Sequence, residues 1–274
     1  MNIVLVHGIL GFSHLDVPLL PIDYFAGVAD FLRTQFQATV IAPALDPTAG
    51  IEKRSDMLRA SIQAALAAGQ LQRGEPIHII AHSMGGLDSR RMICKNPVIE
   101  AGGQNSAIQT LAMVGTPHRG SPIADLVALK FLEKIPFLTP LVEESQTALG
   151  KILAHFRISL DGLHDLTSES AAQFNVANPD QPSVKYLSFA GQGRPGPVPT
   201  SRFFLPYYEF IQVHSRGQEK SDGVVTVSSA QWGIFDSNLW PGDHADEIGH
   251  DLDNPLGPPE ADTLQRFAGI VARF

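Results

Sequence analysis

A short apolar run leads directly into a serine flanked by small residues, and this feature constrains the fold more than any other. Residues 77–81 have the composition of a buried strand, and Ser83 follows them with Gly85 and Gly86 close behind. The residues after the serine can begin a helix, so Ser83 is predicted on a sharp strand-to-helix turn with its hydroxyl exposed. Small neighbours let such a strained turn form without clashes. The pattern is typical of a catalytic nucleophile; the alternative is a glycine-rich turn that contains a serine by chance.

The chain has 274 residues, enough for one large α/β domain with a substantial core or for two small ones. Its formal net charge of −8, with scattered lysines and arginines, argues against a nucleic-acid partner. Its single cysteine, Cys94, excludes an intrachain disulfide. No apolar run has membrane-spanning length, and no signal peptide pattern opens the chain. We expect a protein that stays in the cytoplasm, leaves by a signal-independent route or has lost a signal; these alternatives stay open, as does the oligomeric state.

Strand-like and helix-like segments alternate along the chain. Strands are predicted at residues 3–6, 39–42, 77–81, 108–114 and 184–190, with a further strand at or beside 224–227. Helices are predicted at residues 24–36, 51–68, 85–94 and 263–273. This alternation predicts an α/β fold, with a mostly parallel sheet covered by helices on both faces. We expect residues 1–274 to form a single domain.

One segment, at about residues 122–167, interrupts the alternation. It contains no clean strand, is densely apolar, and is broken into short helices by Pro136 and Pro140. An apolar helical insert of this kind, placed after the strand that follows the serine turn, suits a mobile lid. The alternative is that these are ordinary core helices. The predicted lid and substrate-binding residues are Leu126, Phe131, Ile135, Phe137 and Leu138.

Ester hydrolysis by a serine needs a base for the hydroxyl proton, an acid that orients the base, and donors for the oxyanion. The last third of the chain offers the first two. Asp222 precedes a glycine that lets the loop bend so that the carboxylate faces inward, although a plain Asp-Gly turn has the same pattern. His244 and His250 are rival bases. His7 is expected to be structural, and His82 to pack or hydrogen-bond beside the serine.

The oxyanion donors are expected to be two backbone N–H groups. Met84 follows the serine at a helix N-terminus, where amides lack partners and the helix dipole favours negative charge. Ile9 lies in the loop after the first strand and is the second candidate. The alternative for that loop is a glycine turn that merely joins strand to helix.

Several segments, in a fixed order, carry a resemblance that spans almost the whole chain. They lie at residues 4–12, 24–32, 81–86, 115–121, 166–175, 221–225 and 244–248. Together they resemble the bacterial triacylglycerol lipases of family I, and most closely the Proteus–Pseudomonas–Burkholderia type. The set is specific jointly, whereas several of its members are not specific singly. The chain departs from the usual serine motif at Ala81, where a glycine is common, and alanine is small enough to be tolerated.

The resemblance implies an α/β-hydrolase fold with a helical lid insertion and a definite set of functional residues. It implies Ser83, His244 and Asp222 as nucleophile, base and acid, with the backbone N–H groups of Ile9 and Met84 as the oxyanion hole. The reaction it implies is ester hydrolysis through an acyl-enzyme, without a catalytic cofactor, on a lipid or ester substrate at an oil–water interface. Alternatives are a short-chain carboxylesterase, an acyltransferase, and a non-catalytic binding protein of the same fold.

The same resemblance implies a structural calcium ion that braces the histidine loop. Asp246 and Asp251 are its implied ligands, together with backbone carbonyls, and calcium takes six to eight oxygens. The pattern fails in part, because residues 200–208 contain no acid where the family has its other aspartate. The alternative is a solvated acidic loop. No paired Cys/His spacing indicates zinc.

Overall fold

The computed structural model describes residues 1–9, 15–17, 20–99, 106–132, 160–193, 200–254 and 261–274. Its strands are β1 (Asn2–Val6), β2 (Leu15–Val17), β3 (Leu20–Ile22), β4 (Thr39–Ile41), β5 (Ile77–His82), β6 (Ile108–Val114), β7 (Lys185–Phe189), β8 (Gly191–Gln192), β9 (Ile234–Phe235) and β10 (Trp240–Pro241). Its helices are α1 (Val28–Phe36), α2 (Ile51–Ala67), α3 (Met84–Lys95), α4 (Pro122–Leu132), α5 (Leu160–His164), α6 (Ser168–Ala177), α7 (Leu205–His214), α8 (Val227–Ala230) and α9 (Ala261–Val271), and a 3-10 turn covers Asp246–Ile248.

Six strands form one sheet in the order β4-β1-β5-β6-β7-β9, and every neighbouring pair is parallel. In this sheet β1 lies between β4 and β5, so that Asn2 pairs with Thr39 on one side and with Ile77 on the other. Parallel neighbours need long crossover connections, which the helices supply. The predicted α/β architecture with a mostly parallel sheet is confirmed.

Alternate residues of β1 pack on opposite faces of the sheet. Ile3 and Leu5 join an apolar cluster with residues of α1 and α9, whereas Val4 and Val6 join another with residues of α2 and α3. The helical members of the first cluster include Val28, Leu32, Phe267 and Ile270; those of the second include Leu58, Ile62, Met92 and Ile93. Because both faces are buried, β1 is a continuous apolar run from Ile3 to Val6 rather than an alternating one.

The carboxyl ends of the parallel strands bring the connecting loops to one edge of the sheet. His7 follows β1, Ser83 follows β5 and Gly115 follows β6. A later loop is tied to the same edge, because the N–H of Gly193, just after β8, donates to the Ser221 carbonyl at 2.8 Å. Sites in open parallel sheets lie at this edge.

Two predicted elements differ from the structure. Helix α1 begins at Val28 rather than at residue 24, because Gly27 adopts a left-handed conformation with φ 67° and closes a turn before it. The strand expected at or beside residues 224–227 is replaced by a turn, closed by a bridge between Ser221 and Thr226, and by α8. Within the described ranges, no helix combines the length and apolar character needed to cross a bilayer.

The predicted lid lies only partly within the described residues. Leu126 is half-buried on α4, and Phe131 belongs to the same helix. Ile135, Phe137 and Leu138 lie outside the described residues. The lid and the single-domain organisation therefore stay predictions.

Candidate active site

Ser83 occupies the turn between β5 and α3, with backbone angles φ 56° and ψ −132°. A positive φ is uncommon for a residue with a side chain and persists only where its surroundings enforce it. Two hydrogen bonds do so here. The Ser83 N–H donates to the Val114 carbonyl at 2.9 Å, and the Thr116 hydroxyl donates to the Ser83 carbonyl at 2.8 Å. The ends of β5 and β6 thus hold the strained turn.

Backbone packs directly against this turn. A Cβ atom on Gly85 would lie 2.5 Å from the Val6 carbonyl oxygen, and one on Gly8 would lie 2.6 Å from the Ser83 Cβ. Neither position has room for a side chain, so glycine is required by close approach. Ala81 is fully buried within β5, and its methyl group is accommodated there.

The two candidate oxyanion donors flank the serine from different elements. Met84 is the first residue of α3 and is buried; the first amides of a helix have no intrahelical acceptor. Ile9 follows β1 by three residues and packs, half-buried, against an apolar cluster that includes Met84. Gly8, the neighbour of Ile9, lies against Ser83, so the two loops meet at the serine.

Asp222 and His244 form a short hydrogen bond. Oδ2 of Asp222 lies 2.7 Å from Nδ1 of His244, while Oδ1 accepts the N–H groups of Val224 at 2.7 Å and Val225 at 2.6 Å. The backbone N–H of His244 also donates to the Asp222 carbonyl at 3.0 Å. One carboxylate oxygen is therefore held by amides, which orients the other toward the imidazole.

A second buried carboxylate reaches the same imidazole. The 3-10 turn places Glu247 three residues after His244, and its Oε2 lies 3.4 Å from His244 Nδ1 and 3.1 Å from His82 Nε2. The centroids of the two imidazole rings are 4.4 Å apart. Glu247 Oε1 has no hydrogen-bond partner in the described part of the chain; it occupies a narrow slot beside the backbones of Gly115 and Gly191.

The two neighbouring imidazoles have opposite pKa shifts. Burial lowers the pKa of His244, but the Asp222 and Glu247 carboxylates outweigh burial and raise that pKa above its ordinary value of 6.5. Burial lowers the pKa of His82 well below 6.5, and the adjacent His244 lowers it further. His244 is thus suited to take up a proton, whereas His82 stays neutral.

His7 and His250 are engaged by backbone groups. His7 Nε2 accepts the Leu45 N–H at 2.9 Å, its Nδ1 lies 2.9 Å from the Gly8 carbonyl, and burial lowers its pKa to about 4. His250 Nε2 lies 3.0 Å from the Tyr24 carbonyl. Of the two rival bases, the structure pairs His244 with Asp222 and His250 with the segment before α1.

A buried ion pair supports the loop after β1. Arg54 on α2 and Asp88 on α3 are both fully buried and form a 2.8 Å bond. The other nitrogens of the guanidinium donate to the carbonyls of His7 at 2.6 Å and Asp46 at 2.8 Å. Burial raises the pKa of Asp88 to about 7. Arg54 thereby ties two helices to the loop that carries Ile9.

The implied calcium ligands accept backbone amides instead. Asp246 Oδ2 accepts the Asp243 N–H at 2.7 Å, and Asp251 Oδ1 accepts two amides of its own turn at 2.8 and 3.2 Å. Among the residues described, the one group of three acidic, histidine or cysteine side chains close enough to share an ion is Glu247 with the two imidazoles above. Asp246 and Asp251 are therefore not gathered with a third such ligand.

Two residues of the site, Glu247 and Tyr24, have no role predicted from the sequence. The Tyr24 hydroxyl lies 2.7 Å from His82 Nδ1 and accepts the Gly8 N–H at 3.1 Å. For Glu247 a signal existed: an acid three residues after a candidate base, next to apolar Ile248. For Tyr24 no local pattern indicates contact with a residue 58 positions away.

Together these groups can perform acyl transfer. A serine on a strained turn, an imidazole paired with a fixed carboxylate, and amides at a helix N-terminus are the parts that nucleophilic catalysis at a carbonyl requires. The Asp222 and Glu247 carboxylates favour the protonated form of the His244 imidazole.

Comparisons with known proteins identify the family of the chain. Residues 30–171, just over half of the chain, match the family model of the PGAP1-like alpha/beta domain. The chain is 31% identical over 233 residues to Triacylglycerol lipase 2 of Saccharomyces cerevisiae, covering 84% of this chain and 63% of that protein. It is 27% identical over 202 residues to the Triacylglycerol lipase of Burkholderia plantarii, covering 72% and 51%. The chain thus spans less than two thirds of the length of these curated relatives.

Among solved structures, the Staphylococcus hyicus lipase matches with a TM-score of 0.66 over 99% of this chain and 94% of that chain. The two sequences are 17% identical, so the likeness shows the fold alone. That fold is the α/β-hydrolase fold, and this prediction is confirmed.

Proposed function

Because the chain belongs to the PGAP1-like alpha/beta domain family, we propose that it is a carboxylic ester hydrolase that works through a serine acyl-enzyme. Ser83 is the nucleophile, His244 the general base and Asp222 the acid that orients it. One observation carries the proposal: His244, bonded to Asp222 at 2.7 Å, has its ring centroid 4.4 Å from that of His82, the residue directly before the strained turn of Ser83.

The proposed reaction has two halves. Ser83 Oγ attacks the ester carbonyl carbon while His244 accepts the hydroxyl proton, and the resulting imidazolium faces Asp222 and Glu247. The N–H groups of Ile9 and Met84 donate to the oxyanion of the tetrahedral intermediate. His244 then protonates the leaving alcohol, and water repeats the sequence to release the acid. No cofactor takes part.

The proposed substrates are lipid esters, most specifically triacylglycerols. The names of the yeast and Burkholderia relatives support this class. So does the apolar segment at about residues 122–167, which we propose as a lid inserted in a single domain over residues 1–274; opening it would expose an apolar surface suited to lipid. The finer relationship to the Proteus–Pseudomonas–Burkholderia type rests on the motif order alone.

A structural calcium ion belongs to the proposal only as a separate prediction. Asp246 lies two residues after His244, but its carboxylate and that of Asp251 accept amides, so the described side chains fit a calcium site poorly. No step of the reaction depends on the ion. Elemental analysis of the purified protein and a melting curve with and without a chelator test it. Stoichiometric calcium with a lower melting temperature after chelation would support the ion, and no metal with an unchanged curve would remove it.

The experiment that tests the function is a series of initial rates on p-nitrophenyl esters of increasing acyl length, repeated on emulsified triolein. Rates that rise toward long chains, with hydrolysis of triolein, are the result expected of a lipase. Rates confined to the shortest chains, with triolein untouched, would make the protein a short-chain esterase. Transfer to an added alcohol in place of water would indicate an acyltransferase.

Ser83→Ala is the control for every substrate. It is expected to abolish hydrolysis while leaving the far-UV circular dichroism and melting temperature close to those of the wild type. Full activity in a folded Ser83→Ala variant would exclude Ser83 as the nucleophile. No turnover in the folded wild type, with no labelling of Ser83 by a fluorophosphonate probe, would favour a binding protein.

A further inference from the structure

A chain of hydrogen bonds with one consistent direction runs from the loop after β1 to Glu247, whose carboxylate lies beside the imidazole of His244. The Tyr24 oxygen accepts the Gly8 N–H at 3.1 Å, so its own hydrogen is available for His82 Nδ1 at 2.7 Å. With Nδ1 as acceptor, His82 carries its proton on Nε2, which lies 3.1 Å from Glu247 Oε2. Glu247 Oε2 in turn lies 3.4 Å from His244 Nδ1. One tautomer of His82 satisfies both of its hydrogen bonds, to the Tyr24 hydroxyl and to Glu247 Oε2.

The protonation states of the members suit this direction. Burial raises the pKa of Tyr24 above its ordinary value, so the phenol keeps the hydrogen that it donates. Burial keeps His82 neutral, and a second positive charge 4.4 Å from the imidazolium of His244 would be opposed. His82 therefore gives Glu247 a hydrogen bond without neutralising its charge, and the carboxylate stays available to His244.

The first member of the chain bears on the oxyanion donor. Gly8 is held at both ends: its N–H donates to the Tyr24 hydroxyl, and its carbonyl lies 2.9 Å from His7 Nδ1. The carbonyl of Gly8 and the N–H of Ile9 belong to one planar trans peptide and point in opposite directions. Holding Gly8 therefore sets the direction of the Ile9 N–H.

We propose that Tyr24 and His82 are positioning residues that couple the oxyanion-hole peptide at Gly8–Ile9 to Glu247 and the base His244. In the described part of the chain neither side chain hydrogen-bonds to Ser83, and both act through Gly8 and Glu247. The inference rests on the proposed function, since it concerns the same site.

The first test compares two tyrosine-to-phenylalanine variants. Tyr24→Phe leaves the Gly8 N–H and His82 Nδ1 unpaired and is expected to lower kcat about tenfold, with KM changed by less than about twofold. Tyr186→Phe is the matched control, because the Tyr186 hydroxyl also accepts a backbone N–H, that of Gln181 at 3.0 Å, at the other end of β7. It is expected to lower the melting temperature similarly and to leave kcat within about twofold. Equal kcat values for the two variants would overturn the proposal.

The second test is a double-mutant cycle between Tyr24→Phe and Glu247→Gln, which are joined through His82. If the hydrogen-bonded residues act as one unit, the first substitution already removes part of what the second would remove. The double variant is then expected to lose less kcat/KM than the product of the two single losses. Losses that simply multiply would show that the two residues act independently and would contradict the coupling.

The third test does not depend on ester hydrolysis. In protein labelled with ¹⁵N-histidine, the His82 signal, assigned by its disappearance in His82→Gln, is expected to show a protonated Nε2 and an unprotonated Nδ1 at neutral pH. The opposite tautomer or an imidazolium would overturn the proposal. A wild type without Ser83-dependent hydrolysis would remove the proposed function and the positioning role together, whereas an active wild type with unchanged kcat in Tyr24→Phe would remove the positioning role alone.

Discussion

His82 and His244 show how two residues of the same type acquire opposite behaviour from their surroundings. His244 lies against two carboxylates, which favour its charged form, whereas His82 lies between a phenol and one of those carboxylates in a fully buried position. The difference is not visible in the residues next to either histidine. At the scale of single residues, partners that are distant in sequence decide the chemistry.

Replacing each rival base in turn tests the choice between them. His244→Ala is expected to lower kcat/KM by orders of magnitude, because it removes the only imidazole paired with Asp222 among the described residues. His250→Ala removes a bond to the Tyr24 carbonyl and is expected to cost far less. The measurement is kcat/KM of both variants on a soluble ester, with circular dichroism to confirm that they are folded. The reverse ranking would move the base to His250.

The raised pKa of His244 predicts the dependence of activity on pH. A general base must be unprotonated, so kcat/KM is expected to fall as the pH drops through that raised pKa and to be highest in alkaline solution. Glu247→Gln removes one cause of the raised pKa and is expected to move the acid limb to lower pH. Profiles of kcat/KM against pH for the wild type and for Glu247→Gln test both expectations. A wild-type acid limb at or below 6.5 would contradict the expectation.

At the scale of elements, the sequence predicts β5, the Ser83 turn and α3 because their signals are local: an apolar run, a serine between small residues, and a helix start. The two-residue strands β8, β9 and β10 carry no such signal, since they exist only through pairing with distant segments. The position of Glu247 three residues after His244 is a local signal, but the space that buries its side chain has none. That space is left by Gly115 and Gly191, which lie far from Glu247 in sequence.

Two glycine-to-alanine variants in helices are expected to change stability in opposite directions. In α3, a methyl on Gly85 would meet the carbonyl oxygens of Val6 and His7 at 2.5 and 2.8 Å, which cannot move aside, and a loss of about 1–3 kcal/mol is expected. In α9, Gly269 has nothing within 4 Å of the added atom, so Gly269→Ala is expected to gain about 0.5–1 kcal/mol. Urea unfolding of both variants makes the comparison; a stabilised Gly85→Ala would contradict the close packing.

At the scale of the whole molecule, one parallel sheet collects the site from loops that are far apart in sequence. The two faces of the sheet are packed separately, by α1 and α9 on one side and by α2 and α3 on the other. Arg54 links the second layer to the site, because its guanidinium joins Asp88 on α3 to the His7 carbonyl. The apolar periodicity predicts the layers, but the arginine within them has no local signature.

Breaking this ion pair at one end is expected to cost more than removing it entirely. Arg54→Met leaves a buried carboxylate and the His7 carbonyl without their partner, and a loss of about 3–5 kcal/mol is expected. Adding Asp88→Leu removes the stranded charge and is expected to restore part of that loss. Urea unfolding of the single and double variants measures their free energies of unfolding. A double variant that is less stable than Arg54→Met would show that the pair is not the source of the effect.

The slot around Glu247 exists because Gly115 and Gly191 have no side chains. A Cβ at Gly191 would lie 2.6 Å from one of its carboxylate oxygens, and a Cβ at Gly115 would collide with the other. In a saturation-mutagenesis library selected for ester cleavage, both glycines would therefore tolerate as few replacements as the nucleophile itself. A map of mutational sensitivity would mark them as active-site positions although they contribute no functional group, and an enzyme engineer who widens this site should leave both unchanged.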